Sequence, residues 1–121
     1  RTLDAAELSV ALAGRRAAIK TLLLDQHVVA GLGNLCADEV LFHAGIAPGR
    51  GADSFNDADI DRLATACRSR LAAMLDQGGS TSGVLDPVLR ASLDPCPFDG
   101  GELRRATIGG RTAVWCARHQ R

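Results

Sequence analysis

Apolar residues recur at helical intervals along the first two thirds of the chain. Ala5, Leu8 and Leu12 fall on one face of a segment opened by Asp4, with Glu7 three positions on as in a capping box, and Gly14 ends it. A short helix is expected from about Arg16 to Leu24. The pattern breaks between Asp25 and Gly33, where Gly31 and Gly33 stand two apart, and resumes at Asn34 with Ala37, Val40, Leu41 and Ala44 as a stripe closed by Gly45 and Pro48. The strongest periodicity runs from Asp57 to Gln77, where Ile60, Leu63, Ala64, Cys67, Leu71, Met74 and Leu75 keep helical spacing and Gly78 is the stop. From Gly78 to Pro95, glycines, serines and two Asp-Pro steps predict an irregular connector. Leu103 to Ile108 and Arg111 to Cys116 are short strand candidates separated by Gly109-Gly110, a two-residue hairpin turn. The expected fold is mainly α: four helices over residues 1–79, a connector over 80–95, and a C-terminal two-stranded β-hairpin over 96–121.

Composition narrows the class without naming a function. The 121 residues are 46% hydrophobic and 23% charged, as in a soluble globular protein, and no apolar run approaches the length of a membrane span. A cytoplasmic protein with no membrane partner is the expectation, and a monomer. Net charge is zero, so only its distribution hints at a polyanion. Arg90, Arg104, Arg105, Arg111, Arg118 and Arg121 face only Asp94, Asp99 and Glu102 in the tail, whereas Asp53, Asp57, Asp59 and Asp61 cluster upstream. Cys36 and Cys67 fall within helical patterns and are expected as small buried hydrophobes, not as half of a secreted disulfide framework.

Two constellations carry chemistry. In the first, the glycine-bearing turn ending at Gly33 delivers the chain into a helix start at Asn34. Backbone N–H groups, the helix dipole and the Asn34 amide would together suit a phosphate; a tight interhelical turn with Asn34 as N-cap explains the same residues. In the second, Cys96-x2-Asp99 and Cys116-x2-His119 are separated by 16 residues across the hairpin, and thiolate, carboxylate and imidazole can each ligate zinc.

The run LLLDQHVVAGLGNLCADEVLFHAGIAPGR, Leu22 to Arg50, resembles the helix-two-turn-helix motif of the formamidopyrimidine-DNA glycosylase/endonuclease VIII family. The resemblance begins near Arg15 to Lys20 and recurs at Asp76-Gln77-Gly78-Gly79-Ser80-Thr81. It implies a helix-two-turn-helix domain followed by a zinc-finger-like hairpin, with damaged double-stranded DNA as partner. It further implies that Gly33 and Asn34 hold the phosphate backbone near the lesion, that Lys20 lies near DNA, and that Arg111 reaches into the duplex beside the flipped nucleotide. A solvated surface lysine and an exposed hairpin arginine are the plainer readings of Lys20 and Arg111. Arg104, Arg105, Arg118 and Arg121 fit diffuse phosphate attraction.

For the hairpin the resemblance implies four zinc-binding cysteines at this same spacing, and here Asp99 and His119 replace the second member of each pair. Zinc held by Cys96, Asp99, Cys116 and His119 is therefore expected; a zincless hairpin and a Cys96–Cys116 disulfide are the alternatives. The segment from Ser82 to Pro95 is shorter than the family's loop that can cover a flipped base. The family's nucleophile is an N-terminal proline amine followed by a glutamate, on a separate β-sandwich domain, and no residue here matches it. The implied function is the DNA-binding half of a bifunctional glycosylase/AP lyase in base excision repair, with this chain alone inactive. The alternatives are a stand-alone DNA-binding module and, more remotely, a ribosomal-type RNA-binding helix-two-turn-helix protein, which would normally be far more basic.

Overall fold

The computed structural model describes residues 4–25, 34–76 and 83–121. Helix α1 spans Ala5–Leu12, and the Asp4 carboxylate caps it by accepting from the Glu7 amide at 2.8 Å. Helix α2 spans Ile19–Leu24 and begins later than the apolar pattern predicts. The reason is a competing backbone partner: Ala18 bridges to Gly51, the Ala52 amide donates to Ala17, and the Ile19 amide donates to Arg50. Helix α3 covers Asn34–Ala44 and helix α4 covers Asp57–Asp76. The Gly78 stop lies outside the described residues, as does the Gly31–Gly33 turn. No described helix is long and apolar enough to cross a membrane.

A fifth helix corrects the connector expected over residues 80–95. Helix α5 spans Pro87–Ser92, with Asp86 accepting from the Leu89 amide at 2.8 Å and Pro87 in the first turn. Asp before Pro is as good a helix start as a turn, because proline's missing N–H is not needed there and its φ is already helical. Leu93, at φ 55°, terminates it.

Strands β1 (Leu103–Ile108) and β2 (Arg111–Cys116) pair antiparallel, from Leu103 opposite Cys116 to Ile108 opposite Arg111. Gly109 and Gly110 both take positive φ, as a two-residue hairpin turn requires. Gly109 also lies so close to α2 that a Cβ there would come within 3.0 Å of the Thr21 hydroxyl, so the hairpin tip rests on that helix.

Two apolar clusters meet on α3. Leu8, Ile19, Leu23, Val40, Leu41 and Leu63 belong to a larger core among the helices. Phe42, Leu85, Cys96, Leu103, Val114 and Cys116 form a smaller one under the hairpin. Eight of the 11 residues of α3 are buried, which explains why its stripe reads as broad as it does. Cys36 and Cys67 are buried in the larger cluster, as expected of small hydrophobes.

A polar clamp starts α4. Asn56 and Asp59 exchange backbone-to-side-chain hydrogen bonds at 2.9–3.0 Å, and the Asp59 carboxylate also takes Arg50 and Arg62. Arg50, the Asn56 amide and Arg62 together outweigh burial and hold Asp59 down to about 2. Its contribution to stability is complete above the unfolded carboxyl value near pH 4 and is lost as pH falls through about 2. Asp59→Asn is expected to cost roughly 1–3 kcal/mol at neutral pH. Thermal melts of both proteins from pH 7 to pH 2 are expected to converge at the acid end; a constant gap would refute the assignment.

Candidate nucleic-acid interface and metal centre

Helix α3 carries two adjacent acidic residues, Asp38 and Glu39, within its apolar sequence, and both are buried. Asp38 is 0% exposed and meets the equally buried Lys20 ammonium at 2.7 Å and Arg90 of α5 at 2.6 Å. It also accepts from the Val114 amide of β2 at 3.2 Å. Burial pushes the Lys20 ammonium below its ordinary range, against the pull of Asp38. The two cations then reach a common acceptor. Lys20 Nζ donates to the Thr112 carbonyl at 2.7 Å, Arg90 Nη2 at 3.1 Å, and Asn34 Nδ2 at 3.2 Å. Three helices therefore grip one peptide of the hairpin, immediately after the exposed Arg111.

Glu39 fixes the segment leading to α5. Its carboxylate accepts from the Val84 and Leu85 amides at 3.0 and 2.9 Å and pairs with His43 at 2.7 Å. Burial alone would raise its pKa, but the His43 contact and the two amides prevail and hold it below the ordinary carboxylate range. A side chain at Gly83 would collide with this carboxylate at 2.6 Å.

At the other end of the hairpin, one donor atom each from Cys96, Asp99, Cys116 and His119 lies within 4.8 Å of the others. All four cysteines are free thiols. The turn after Cys96 is closed by the Gly100 amide donating to the Cys96 carbonyl at 2.8 Å, and Cys116 is held by Gln120, whose Oε1 accepts the Cys116 amide at 2.7 Å. Asp99 lies 3.4 Å from the Cys116 sulfur and 3.0 Å from His119 Nδ1. The opposite ring nitrogen of His119 is 3.0 Å from the Phe42 carbonyl, so the imidazole is oriented by α3. The Gly101 amide first, then the Cys116, Cys96 and His119 side chains, hold Asp99 down to about 2. Burial pushes the Cys96 thiol up, against the lowering effect of the Phe98 and Asp99 amides.

These residues fit a tetrahedral cation. Ligand-to-ligand edges around zinc are about 3.3–3.8 Å for Zn–S near 2.3 Å and Zn–N or Zn–O near 2.0–2.1 Å, so small side-chain shifts suffice. The donor set, two thiols with a carboxylate and an imidazole, is one that zinc accepts.

Residues 1–86 match the family model of the formamidopyrimidine-DNA glycosylase H2TH domain, which is more than half of the chain. The chain belongs to this family. It is 42% identical to the formamidopyrimidine-DNA glycosylase of Xanthomonas campestris pv. campestris over 89% of its length and 45% of that protein. With the same enzyme of Halorhodospira halophila it shares 43% identity over 98% of this chain and 48% of that protein. The chain thus spans just under half the length of these formamidopyrimidine-DNA glycosylases. Among solved structures, Lactococcus lactis Fpg in complex with DNA containing an abasic site superposes with a TM-score of 0.84 at 27% identity, over 98% of this chain and 48% of that one. MutM (Fpg) from Thermus thermophilus superposes with 0.80 at 31% identity, over 96% and 49%.

Within this family frame, the structure brings Lys20 and Asn34 together at the carbonyl of Thr112, the residue that follows the exposed Arg111. Gly33 lies outside the described residues. Lys20 is not the solvated lysine of the plainer sequence reading: it is 0% exposed, because Asp38 supplies the countercharge its burial demands. Asn34 is the first residue of α3, and one of the two N–H groups of its side-chain amide goes to the hairpin. Sequence reasoning missed Asp38, Glu39 and Arg90. The available signal was a pair of carboxylates in the middle of an apolar helical stripe, where each must find a partner.

Gly101 lies against the metal cluster, and a Cβ there would meet the Arg118 Cβ at 2.5 Å and both Asp99 Oδ1 and Cys116 Sγ at 2.9 Å. Gly101→Ala is expected to push these ligands apart and to destabilise the hairpin by about 1–3 kcal/mol, as overpacking does. Amide hydrogen exchange should accelerate in β1 and β2 while α3 stays protected; unchanged exchange would contradict the crowding.

Proposed function

We propose that this chain binds duplex DNA at or beside a damaged base, as the DNA-binding half of a bifunctional glycosylase/AP lyase in base excision repair. It works in the cytoplasm as a monomer. The observation that carries the reading is the convergence at Thr112, which ties Asn34 at the start of α3 to the hairpin residue that follows Arg111, 78 positions away. A helix N-terminus suits a phosphate, and a guanidinium on the same unit can reach the duplex interior beside it. The crystal structure of Lactococcus lactis Fpg with abasic-site DNA supports it by family likeness.

In this proposal Gly33 and Asn34 meet one phosphate, and Arg111 enters the duplex beside the displaced nucleotide. Lys20 acts from within, through its hold on Thr112. The remaining tail arginines add sequence-independent attraction. Zinc, when bound by Cys96, Asp99, Cys116 and His119, supplies a structural cross-link and no reaction step. Those ligands orient the base of the hairpin, which as an isolated two-stranded unit would be marginal.

Titration of labelled duplex at 50 and 200 mM salt tests the binding. For about four phosphate contacts the affinity is expected to fall on the order of a hundredfold between them. Arg111→Ala is expected to weaken binding by about 1–3 kcal/mol without lowering the melting temperature, and Asn34→Ala by about 1 kcal/mol. Affinity indifferent to salt, or to both substitutions, would sink the proposal.

Elemental analysis of protein purified without chelator is expected to give about one zinc per chain. Removing the metal should loosen the hairpin before the helices. Metal-free protein with reduced thiols and a fully protected hairpin would favour the zincless alternative.

A further inference from the structure

Among the described residues, Asp38 and Arg90 are buried charges that the proposed DNA contacts leave without a role, and Lys20 enters them only through Thr112. Lys20 and Asp38 are both 0% exposed, and Arg90 retains only 11% side-chain exposure. A carboxylate in that position repels phosphate, and an ammonium spent on Asp38 and on a carbonyl has no donor geometry turned toward solvent. Both cations nevertheless end on one acceptor, the Thr112 carbonyl, and Asp38 also takes the Val114 amide two residues on. The hairpin is thereby held at the two successive peptides on either side of Ala113, just after Arg111. At its turn, Gly109 is seated against Thr21 of α2, one residue from Lys20.

We propose that Asp38 is the positioning residue for Arg111: it fixes Lys20 and Arg90 as an internal strut that sets the height of the hairpin tip over the start of α3. Lys20 is accordingly a part of this strut and not a phosphate ligand. The strut uses charge because a charged hydrogen bond is stiffer and more directional than apolar contact, and β1 presents little apolar surface that could set the register against the helices. Arg90 keeps Asp38 from being left an unpaired buried charge when Lys20 is replaced, so Lys20→Met can fold although its own hold on Thr112 is lost. This inference rests on the DNA-binding reading above.

The test is a double-substitution cycle in the full chain, with Asp38→Asn and Lys20→Met each made alone and in the Arg111→Ala background. Each is expected to weaken duplex binding on the order of tenfold when Arg111 is present and by less than about twofold when it is not. A general loss of folded protein would lower affinity equally in both backgrounds, so it cannot imitate this pattern. Equal losses overturn the proposal, as does a salt dependence shallower by about one counterion for Lys20→Met, the signature of a lost phosphate contact. A gain of affinity for Asp38→Asn, the result of simply deleting a negative charge, overturns it too. If Asp38→Asn fails to fold, Lys20→Met carries the cycle alone.

A DNA-free measurement separates the strut from the function. In the protein alone, both substitutions are expected to shift the Thr112 carbonyl resonance and to speed exchange of the Val114 amide. If neither changes, the strut is wrong whatever the DNA result. If both change while the wild-type chain binds no duplex at any salt, the function falls and the strut is upheld.

Discussion

The buried carboxylate of Asp38 constrains the rest of the molecule because it joins α2, α3, α5 and β2 at one point. Removing such ions from water costs on the order of several kcal/mol each, so the arrangement is tolerable only when every charge is matched. Here one carboxylate faces two cations and a backbone amide. Each cation also donates to the Thr112 carbonyl. An apolar contact would have tolerated sliding; this network admits one register, since moving β2 by one residue would turn toward β1 the amide and the carbonyl that Asp38 and Lys20 need.

Helix α3 is the wall that both apolar clusters share, and its polar residues divide the work by position. Asn34 and Asp38 reach the far end of β2, Glu39 holds the segment before α5, and the Phe42 carbonyl orients His119 at the near end. The hairpin is therefore gripped at both ends by one helix. The C-terminal residues close the arrangement, with Arg121 exchanging backbone hydrogen bonds with Gly45 and Ala47, and Gln120 reaching Ile46. Gly45 takes φ 73°, which favours glycine, and a Cβ there would make a tight 3.3 Å contact with the His119 carbonyl.

The residues of the candidate metal site are each held by more than their place in sequence. Asp99 and His119 occupy equivalent places after the two cysteines, and each is anchored by a second contact: Asp99 by the Gly101 amide and His119 by the Phe42 carbonyl. The surrounding rings add a cover. Phe42 packs edge-on against His119 at 4.7 Å and Phe98 lies 4.8 Å from Phe42, which limits the directions the imidazole can take.

Local information determined the helices, the hairpin and the family. Periodicity marked α1, α3 and α4, Gly109-Gly110 marked the turn, and the two ligand pairs were visible as spacing, because caps, turns and apolar faces are decided by residues a few positions apart. The start of α2 and the existence of α5 were less legible: the first is set by backbone pairing with the 48–52 loop, the second by an Asp-Pro step that also reads as a turn. Only the tertiary structure decided that Lys20 is buried, that Arg90 belongs with Asp38 across 52 positions, and that Thr112 is where three helices meet. A buried charge is stable only beside its partner, and which partner comes within reach depends on how the whole chain packs.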